Sequence, residues 1–224
     1  MSTTTERPAA RSGVTRARDG TKDGRLVLAS ASPARRHLLE AAGLEFEVMA
    51  ADIDERLVRD ELLAKGRSPG DIARALARAK AEEVAARLGG RPGGGVVIIA
   101  ADQILLFEGE IFEKPADPAA ARETLKRLRG KTHELMSAVT GYRAGRQIWS
   151  CLESAHLTMR DFSDDFLEAY LRHDEGQLAS VGAYRIEGRG AQLFSHMEGD
   201  FFTIMGLPML PLLDFLRREK LLSL

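Results

Sequence analysis

A short apolar run that ends in serines and arginines is the part of this sequence best suited to bind an anion. In the segment LVLASASPARRHLL, Ser30 and Ser32 follow the apolar residues, and Arg35 and Arg36 come shortly afterwards. A loop that leads from a strand into a helix presents unpaired backbone N–H groups and the positive end of the helix dipole. Serine hydroxyls and arginine guanidinium groups add further donors. The segment is therefore a candidate cradle for phosphate groups, and a capped helix with solvated arginines is the alternative.

A second candidate is a single carboxylate at the end of the strongest strand signal. The run VVIIAAD, from Val96 to Asp102, is apolar up to its last residue, which predicts a buried strand with Asp102 at its carboxyl end. Catalytic groups favour this edge of an α/β sheet. A carboxylate there can bind a divalent cation or act as a general base toward water. An aspartate that only caps the following turn is the alternative.

Three further charged residues have settings that suit the same cleft. Glu55 lies in an acidic cluster, Lys80 in an alanine-rich stretch of a predicted helix, and Lys114 directly before a proline. The proline holds Lys114 in an extended conformation. Each residue alone is typical of a solvated charge, but together they could supply two cations and one carboxylate.

Strand and helix signals alternate along the chain, which predicts an α/β fold to position these residues. Ser32 as N-cap, Pro33 at the first helical position and Gly43 as the stop predict a helix directly after the first strand. The other predicted elements are a strand at Phe46 to Met49, a helix at Pro69 to Leu88, a hairpin around Gly109, a helix from Asp117 to Arg129, two strands around the Ala144–Gly145 turn, a helix from Ser163 to Leu171 and a helix from Pro208 to Glu219.

Composition narrows the classes of function. The chain has 224 residues and a formal net charge of -1, so we expect no nucleic-acid partner. Its single cysteine, Cys151, excludes an internal disulfide and suits a cytoplasmic location. The five histidines lack metal-ligand spacing, and the apolar runs are shorter than the ~20 residues that a membrane span needs. The polar residues 1–24 predict a disordered tail, and residues 25–224 predict a single domain.

Seven segments, in order, resemble the motifs of the Maf family of nucleotide pyrophosphatases, which are also described as septum-formation inhibitors. They are S-x-S-P-x-R-R, A-x-x-K-A, A-D-Q, E-K-P, G-K-x-H, G-A-Y-x-I-E-G and GDFFTIMGLP. The resemblance implies a fold shared with inosine-triphosphate pyrophosphatases, an elongated mixed β-sheet with flanking helices and a cleft between two lobes. It also implies a homodimer that hydrolyses a nucleoside triphosphate to the monophosphate and pyrophosphate with a divalent cation, Mg²⁺ or Mn²⁺.

The resemblance also implies roles for single residues. Asp102 matches the family's catalytic aspartate, described as a proton acceptor, and Arg35 matches the second position of the family's arginine pair. Asp102 would orient or deprotonate the attacking water, or would hold the metal together with Glu55, and the sequence leaves these roles open. With the phosphate cradle, the resemblance predicts this substrate-binding set: Ser30, Ser32, Arg35, Lys80 and Lys114.

Three positions of the family are associated with the choice of base. The branch that prefers dTTP and UTP carries Arg, Thr and Gln where this chain has Ala34, Gln103 and Glu187. Gln103 and Glu187 match the branch associated with 7-methyl-GTP, which has an aromatic residue at the position of Ala34. The negative charge of Glu187 suits a cationic purine, although the missing aromatic ring removes a stacking partner for it. We therefore favour 7-methyl-GTP over a pyrimidine or mixed substrate range.

Two classes of function fit these residues. The first is a house-cleaning pyrophosphatase that removes non-standard nucleotides, and the second is a nucleotide-sensing regulator of cell division with little catalysis. The joint presence of Arg35, Lys80, Asp102 and Lys114 favours the enzyme. Nucleic-acid binding by the arginine-rich tail is a further alternative, which would require salt-dependent binding.

Overall fold

A mixed β-sheet forms the centre of the protein. The computed structural model describes residues 24–89, 95–173, 178 and 180–223. The sheet has the order β2-β1-β3-β5-β6-β7, with β4 paired to β3. Its strands are β1 (Leu26–Leu28), β2 (Glu47–Val48), β3 (Val97–Phe107), β4 (Glu110–Phe112), β5 (Thr132–Arg143), β6 (Arg146–Met159) and β7 (Phe194–Glu198). The predicted disordered tail, but for Gly24, lies outside the described residues.

Helices cover both faces of this sheet, which confirms the predicted α/β class. They are α1 (Pro33–Ala41), α2 (Glu55–Ala64), α3 (Pro69–Arg87), α4 (Pro118–Leu128), α5 (Asp164–His173), α6 (Phe201–Ile204) and α7 (Met209–Arg218), with a 3₁₀ helix at Arg189–Leu193. Ile98 and Ala100 of β3 pack in clusters with α3, whereas Val97, Ile99 and Ala101 pack with α1, α4, α5 and α7. This alternation is that of a strand buried on both sides.

The position predicted for Asp102 at a strand end is wrong. β3 continues to Phe107, so Asp102 lies in the middle of the strand. The parallel pairing with β1 stops at Leu28 and Ile99, whereas the antiparallel pairing with β5 continues and sets Asp102 opposite Ala138. Asp102 therefore interrupts the apolar run, but the hydrogen-bonded pairing of β3 with β5 continues past it. Asp102 nevertheless lies just beyond the end of β1, where that edge of β3 opens.

Four elements were not predicted from the sequence, namely α2, the 3₁₀ helix at Arg189–Leu193, β7 and α6, and each is short or exposed. Asp54 of the acidic cluster is the N-cap of α2, and its side chain accepts from the Leu57 N–H at 2.9 Å. The four residues of α6 are too few for a periodic signal. β7 lies at the edge of the sheet, and its residues after Phe194 are exposed.

Two tight hairpins have the backbone that their sequences predict. Glu108 and Gly109 join β3 to β4 with φ values of 50° and 83°, and Ala144 and Gly145 join β5 to β6 with 50° and 77°. Positive φ at both central residues is the pattern of a two-residue hairpin whose twist matches its strands. The first of these hairpins places the segment after β4, which contains Lys114, beside the open edge of β3.

His133 on β5 is buried at 2% exposure and makes the protein sensitive to acid. Its Nε2 lies 2.7 Å from Tyr184 Oη, and its Nδ1 has no hydrogen-bond partner within the described residues. Burial lowers the pKa of His133 to about 4. In the unfolded chain His133 takes up a proton near pH 6.5, whereas in the folded protein it does so only near pH 4. The free energy of unfolding therefore falls as pH drops from about 6.5 to 4.

Replacing His133 with glutamine is expected to remove this acid sensitivity. At roughly 1.4 kcal/mol per pKa unit, the wild-type protein should lose about 2–3 kcal/mol over this pH range through His133 alone. Urea unfolding at pH 7.5, 6 and 4.5 measures the loss, with His37→Gln on exposed α1 as the matched control. If the free energy of unfolding of His133→Gln fell with pH as steeply as that of the wild-type protein and of His37→Gln, His133 would not be the cause of the acid sensitivity.

Candidate active site

A cleft of about 490 Å³ lies at the open edge of β3. Its walls come from the start of α1, from α2 and α3, from β3 and β4, and from the segments around 180–187 and 204–205. Nearly every site residue predicted from the sequence lines it: Ser32, Ala34, Arg35, Glu55, Lys80, Asp102, Gln103, Lys114 and Glu187. Ser30 lies behind this wall, where it contacts Arg35.

Arg35 forms the floor of the cleft. Its side chain is buried, and it donates from Nε to the Gly206 carbonyl at 2.8 Å and from Nη1 to the Ala101 carbonyl at 2.8 Å. Nη1 also lies 3.2 Å from Ser30 Oγ. Burial lowers the pKa of Arg35, and the charges of Asp102 and Glu55 oppose that shift. Nη2 has no partner among the described residues, so it remains available to a ligand.

The two arginines of the opening motif have different environments. Arg36 points away from the cleft and pairs with Glu40 at 2.7 Å on the exposed side of α1. Ser32 caps α1 by accepting from the Arg35 N–H at 3.4 Å, and Ser30 Oγ accepts from the Ser32 N–H at 3.2 Å. The predicted cradle therefore consists of the capped start of α1 and one buried guanidinium, with Arg36 as a surface residue.

Lys80 joins the two carboxylates of the site. Its Nζ lies 2.6 Å from Asp102 Oδ1 and 2.9 Å from Glu55 Oε1. Lys80 reaches Asp102 because even-numbered residues of β3 face α3, the helix that carries Lys80. The Lys80 and Asp102 side chains are only 10% and 8% exposed. Asp102 Oδ2 has no partner within the described residues and is not fully buried, so it faces the cleft.

Glu55 is held as a carboxylate by the cations around it. Partial burial raises the pKa of Glu55, but Lys80, Lys114 and Arg35 outweigh burial, and the net pKa is lower than usual. Lys114 is exposed at the rim of the cleft, and it acts on Glu55 through its charge. Three cations, Arg35, Lys80 and Lys114, therefore act on Glu55, and such a group of cations can receive an anion with several negative charges.

The positions associated with base choice lie on two separate walls. Gln103 lies on the face of β3 opposite to Asp102, and Ala34 lies near the start of α1. Glu187 is exposed on the segment 180–187, beside the buried Tyr184 and Ile186. Both faces of β3 contribute because the cleft wraps around its open edge.

The sequence reading missed the residues that support the site from behind. Ser137 on β5 is fully buried beside Gln103, and the Thr203 carbonyl accepts from both side chains. Gly206 supplies the carbonyl for Arg35 and has a φ of 89°. The motif GDFFTIMGLP contains Thr203 and Gly206 and was the available signal, but its short helix α6 and its carbonyl contacts have no sequence signature.

Replacing Gly206 with alanine is expected to disturb this support. A Cβ at Gly206 would lie 3.4 Å from Arg35 Nε and Nη2 and 3.6 Å from Gln103 Oε1. We expect a loss of about 1–3 kcal/mol in stability from the strained φ, together with a several-fold weaker affinity for nucleotides. Gly66→Ala is the matched control, because Gly66 has a φ of 67° and nothing within 4 Å of an added Cβ. Equal nucleotide affinities for the two variants would contradict this role.

A family model described as Maf-like protein matches residues 25–219. The chain belongs to this family. A protein of Brucella abortus biovar 1 (strain 9-941) named 7-methyl-GTP pyrophosphatase is 49% identical over 197 residues, which cover 88% of this chain and 96% of the relative. One of Paramagnetospirillum magneticum (strain ATCC 700264 / AMB-1) named nucleoside triphosphate pyrophosphatase is 50% identical over 194 residues, 86% of this chain and 97% of the relative.

A further relative is also named 7-methyl-GTP pyrophosphatase. The 7-methyl-GTP pyrophosphatase of Rhizobium meliloti (strain 1021) is 47% identical over 193 residues, which cover 86% of this Maf-like chain and 94% of the relative. The seven-stranded mixed sheet and the family match together confirm the fold that the motifs implied. In the part of the chain that the structure describes, no helix is long and apolar enough to cross a membrane.

The side chains of the cleft could bind a divalent cation only if a ligand supplied further oxygen atoms to it. The described residues contain no group of three or more His, Cys, Asp or Glu side chains that could hold a metal ion. Glu55 and Asp102 nevertheless converge on one point, which Lys80 Nζ occupies. Mg²⁺ is usually bound through one or two carboxylates plus substrate phosphates and water. Two carboxylates that converge in one cleft match the protein part of that donor set.

Proposed function

We propose that this Maf-like chain hydrolyses a nucleoside triphosphate between the α and β phosphates and releases the nucleoside monophosphate and pyrophosphate. The observation that carries the proposal is the buried contact of Lys80 with Asp102 and Glu55 in a cleft that also contains Arg35. The names of the relatives support the same reaction. Its role would be the removal of non-standard nucleotides, with 7-methyl-GTP as the favoured substrate.

The cations of the site would bind the leaving group. Arg35 offers Nη2 from a guanidinium fixed by two backbone carbonyls, and Lys114 adds a mobile charge at the rim. Because these donors lie partly out of water, each contact with a phosphate oxygen gains more than it would at an exposed surface. The developing charge on pyrophosphate would be neutralised as the bond to it lengthens.

Asp102 would accept the proton of the attacking water. Lys80 fixes Oδ1, and Oδ2 remains open to the cleft. The water oxygen forms a bond to the α-phosphorus, its proton passes to Oδ2, and the bridging oxygen leaves with pyrophosphate. Fixing the general base in this way removes the need to orient it during the reaction.

A divalent cation would be held by the carboxylates of Glu55 and Asp102. When bound, such a cation neutralises phosphate charge and orients the triphosphate. Lys80 already balances the charge of the two carboxylates, and a bound cation would add positive charge for the triphosphate beside them.

Base choice would depend on the parts of the cleft that contain Glu187 and Ala34. Glu187 offers a carboxylate that suits the positive charge of 7-methylguanine, and it lies on the same segment as the apolar Ile186. Ala34 leaves room at the position where the related branch has an aromatic ring. 7-Methyl-GTP is therefore the favoured substrate, over a pyrimidine or mixed range. A homodimer, which the resemblance implies, and a cytoplasmic location, which the single cysteine suits, complete the proposal, and light scattering tests the dimer.

Pyrophosphate release from a panel of nucleotides tests this proposal. The panel contains 7-methyl-GTP, UTP, CTP, dTTP, ITP, XTP and the common purines, each with Mg²⁺ or Mn²⁺. We expect the highest kcat/KM for 7-methyl-GTP and little release without metal. Binding of nucleotides without any release would overturn the enzyme and favour a nucleotide-sensing regulator.

A further inference from the structure

The side-chain amide of Gln103 is held by three oxygen atoms on one side. Its Nε2, which carries two protons, lies 3.0 Å from Ser137 Oγ and 3.1 Å from each of the carbonyl oxygens of Thr203 and Ile204, so two of these acceptors share one proton. Gln103 and Ser137 are directly opposite each other in the pairing of β3 with β5. We call Ser137 and these two carbonyls the amide clamp.

The amide clamp permits only one orientation of Gln103. Ser137 Oγ donates its own proton to the Thr203 carbonyl at 2.8 Å, so it can only accept from Gln103. Reversing the amide would turn Oε1 toward two carbonyl oxygens, which cannot donate, and the Ser137 proton could reach Oε1 only by leaving the Thr203 carbonyl. The reversed amide would therefore lose hydrogen bonds on that side. Gln103 therefore cannot exchange its donor and acceptor ends.

The acceptor end of Gln103 is the one that remains for a ligand. Oε1 has no partner within the described residues and is not fully buried. Gln103 lines the cleft, and Oε1 lies near the position that a Cβ of Gly206 would occupy. The carboxylate of Glu187, which is also an acceptor, lines the same cleft. The cleft therefore presents at least two acceptors to a ligand, Gln103 Oε1 and the Glu187 carboxylate.

We propose that Ser137 is a positioning residue for base recognition, which fixes Gln103 as an acceptor and thereby selects nucleobases with N–H donors on their pairing edge. The inference rests on the proposed function only in that the ligand is a nucleotide. Guanine-type bases fit best, because N1–H and the 2-amino group are adjacent donors. Xanthine has a carbonyl oxygen in place of the 2-amino group and meets two acceptors unfavourably. The amide clamp gives the motif GDFFTIMGLP a role, since it carries Thr203 and Ile204.

Binding of donor-deleted analogues tests this selection without any turnover. Calorimetry compares the α,β-methylene analogues of GTP, ITP and 1-methyl-GTP, of which ITP lacks the 2-amino group and 1-methyl-GTP lacks N1–H. We expect at least one deletion to weaken binding to the wild-type protein about 3- to 10-fold, the size of one hydrogen bond. Gln103→Met should abolish this difference, and Ser137→Ala should reduce it.

The ratio between analogues separates positioning from a structural effect. A variant that is only less stable should lose affinity for all three analogues by the same factor. A Gln103 amide that is no longer held in place should instead change the ratio of these affinities. Thr140→Ala removes another buried hydroxyl side chain of β5 and should keep the wild-type ratio. Gln103→Met tests the acceptor even if Ser137→Ala fails to fold.

Different results would contradict the role of Ser137 and Gln103 and the proposed pyrophosphatase activity. Equal affinity of the wild-type protein for the three analogues, or an unchanged ratio in Gln103→Met, would overturn the inference while hydrolysis could still occur. Conversely, discrimination between the analogues without hydrolysis of 7-methyl-GTP or of any other nucleotide in the panel would support the inference and contradict the enzyme. Absence of any nucleotide binding would overturn both.

Discussion

Replacing Asp102 with asparagine is expected to reduce pyrophosphate release by about 10²–10⁴-fold, the usual contribution of a general base. Asparagine has the same shape but cannot accept the proton of the attacking water. Lys80 keeps Glu55 as a partner at 2.9 Å, so we expect the fold to survive. Steady-state kinetics with 7-methyl-GTP should find kcat lowered, with KM changed much less.

Two controls make this result specific to Asp102. Thermal unfolding of Asp102→Asn should stay near the wild-type midpoint, and Glu55→Gln should lower activity less, because Glu55 is half-exposed and lies on the far side of Lys80. An Asp102→Asn variant that retains more than about a tenth of the wild-type kcat would contradict the role of Asp102 as proton acceptor.

Replacing Lys80 with methionine is expected to reduce both activity and stability. The change leaves Asp102 and Glu55 facing each other without the ammonium group between them. Removal of one partner of a buried ion pair typically costs about 3–5 kcal/mol. Partial exposure of Glu55 places the expected loss at the lower end of that range. Activity should fall by about 10²-fold or more, because the fixed carboxylate and a phosphate donor are lost together.

Lys114→Met is the matched control for this variant, since it removes the same charge from the same cleft. Lys114 is exposed at the rim, so its removal should change stability by no more than about 0.5 kcal/mol. We expect it to raise KM through weaker phosphate binding. Urea unfolding and kcat/KM of the two variants are compared, and equal losses of stability would contradict the buried bridge.

Local signals in the sequence predicted the elements that carry their own caps. Ser32, Pro33 and Gly43 predicted α1, and the observed helix ends one residue before its C-cap at Ala42, with Gly43 at a φ of 73°. The Ala144–Gly145 hairpin was predicted for the same reason, because the turn residues carry the information themselves. Asp102 lines the cleft, although its position within the strand was predicted wrongly.

Features that depend on distant parts of the chain were out of reach. Arg35 shares the buried face of α1 with Leu38 and Leu39, but the Gly206 and Ala101 carbonyls that hold its guanidinium come from distant parts of the chain. The face of β3 that carries Asp102 depends on the register with β1 and on the packing of α3. The orientation of the Gln103 amide depends on Ser137 and on carbonyls about 100 residues away. Hydrogen bonds to backbone carbonyls have no residue-type signature.

The position of bond cleavage tests the central claim most directly. Hydrolysis of 7-methyl-GTP in ¹⁸O-labelled water, followed by mass spectrometry of the products, locates the phosphorus that water attacks. The account predicts equal amounts of 7-methyl-GMP with one ¹⁸O atom and unlabelled pyrophosphate. Label in the pyrophosphate, or 7-methyl-GDP with inorganic phosphate as products, would contradict attack at the α-phosphorus and the cleft chemistry derived from it.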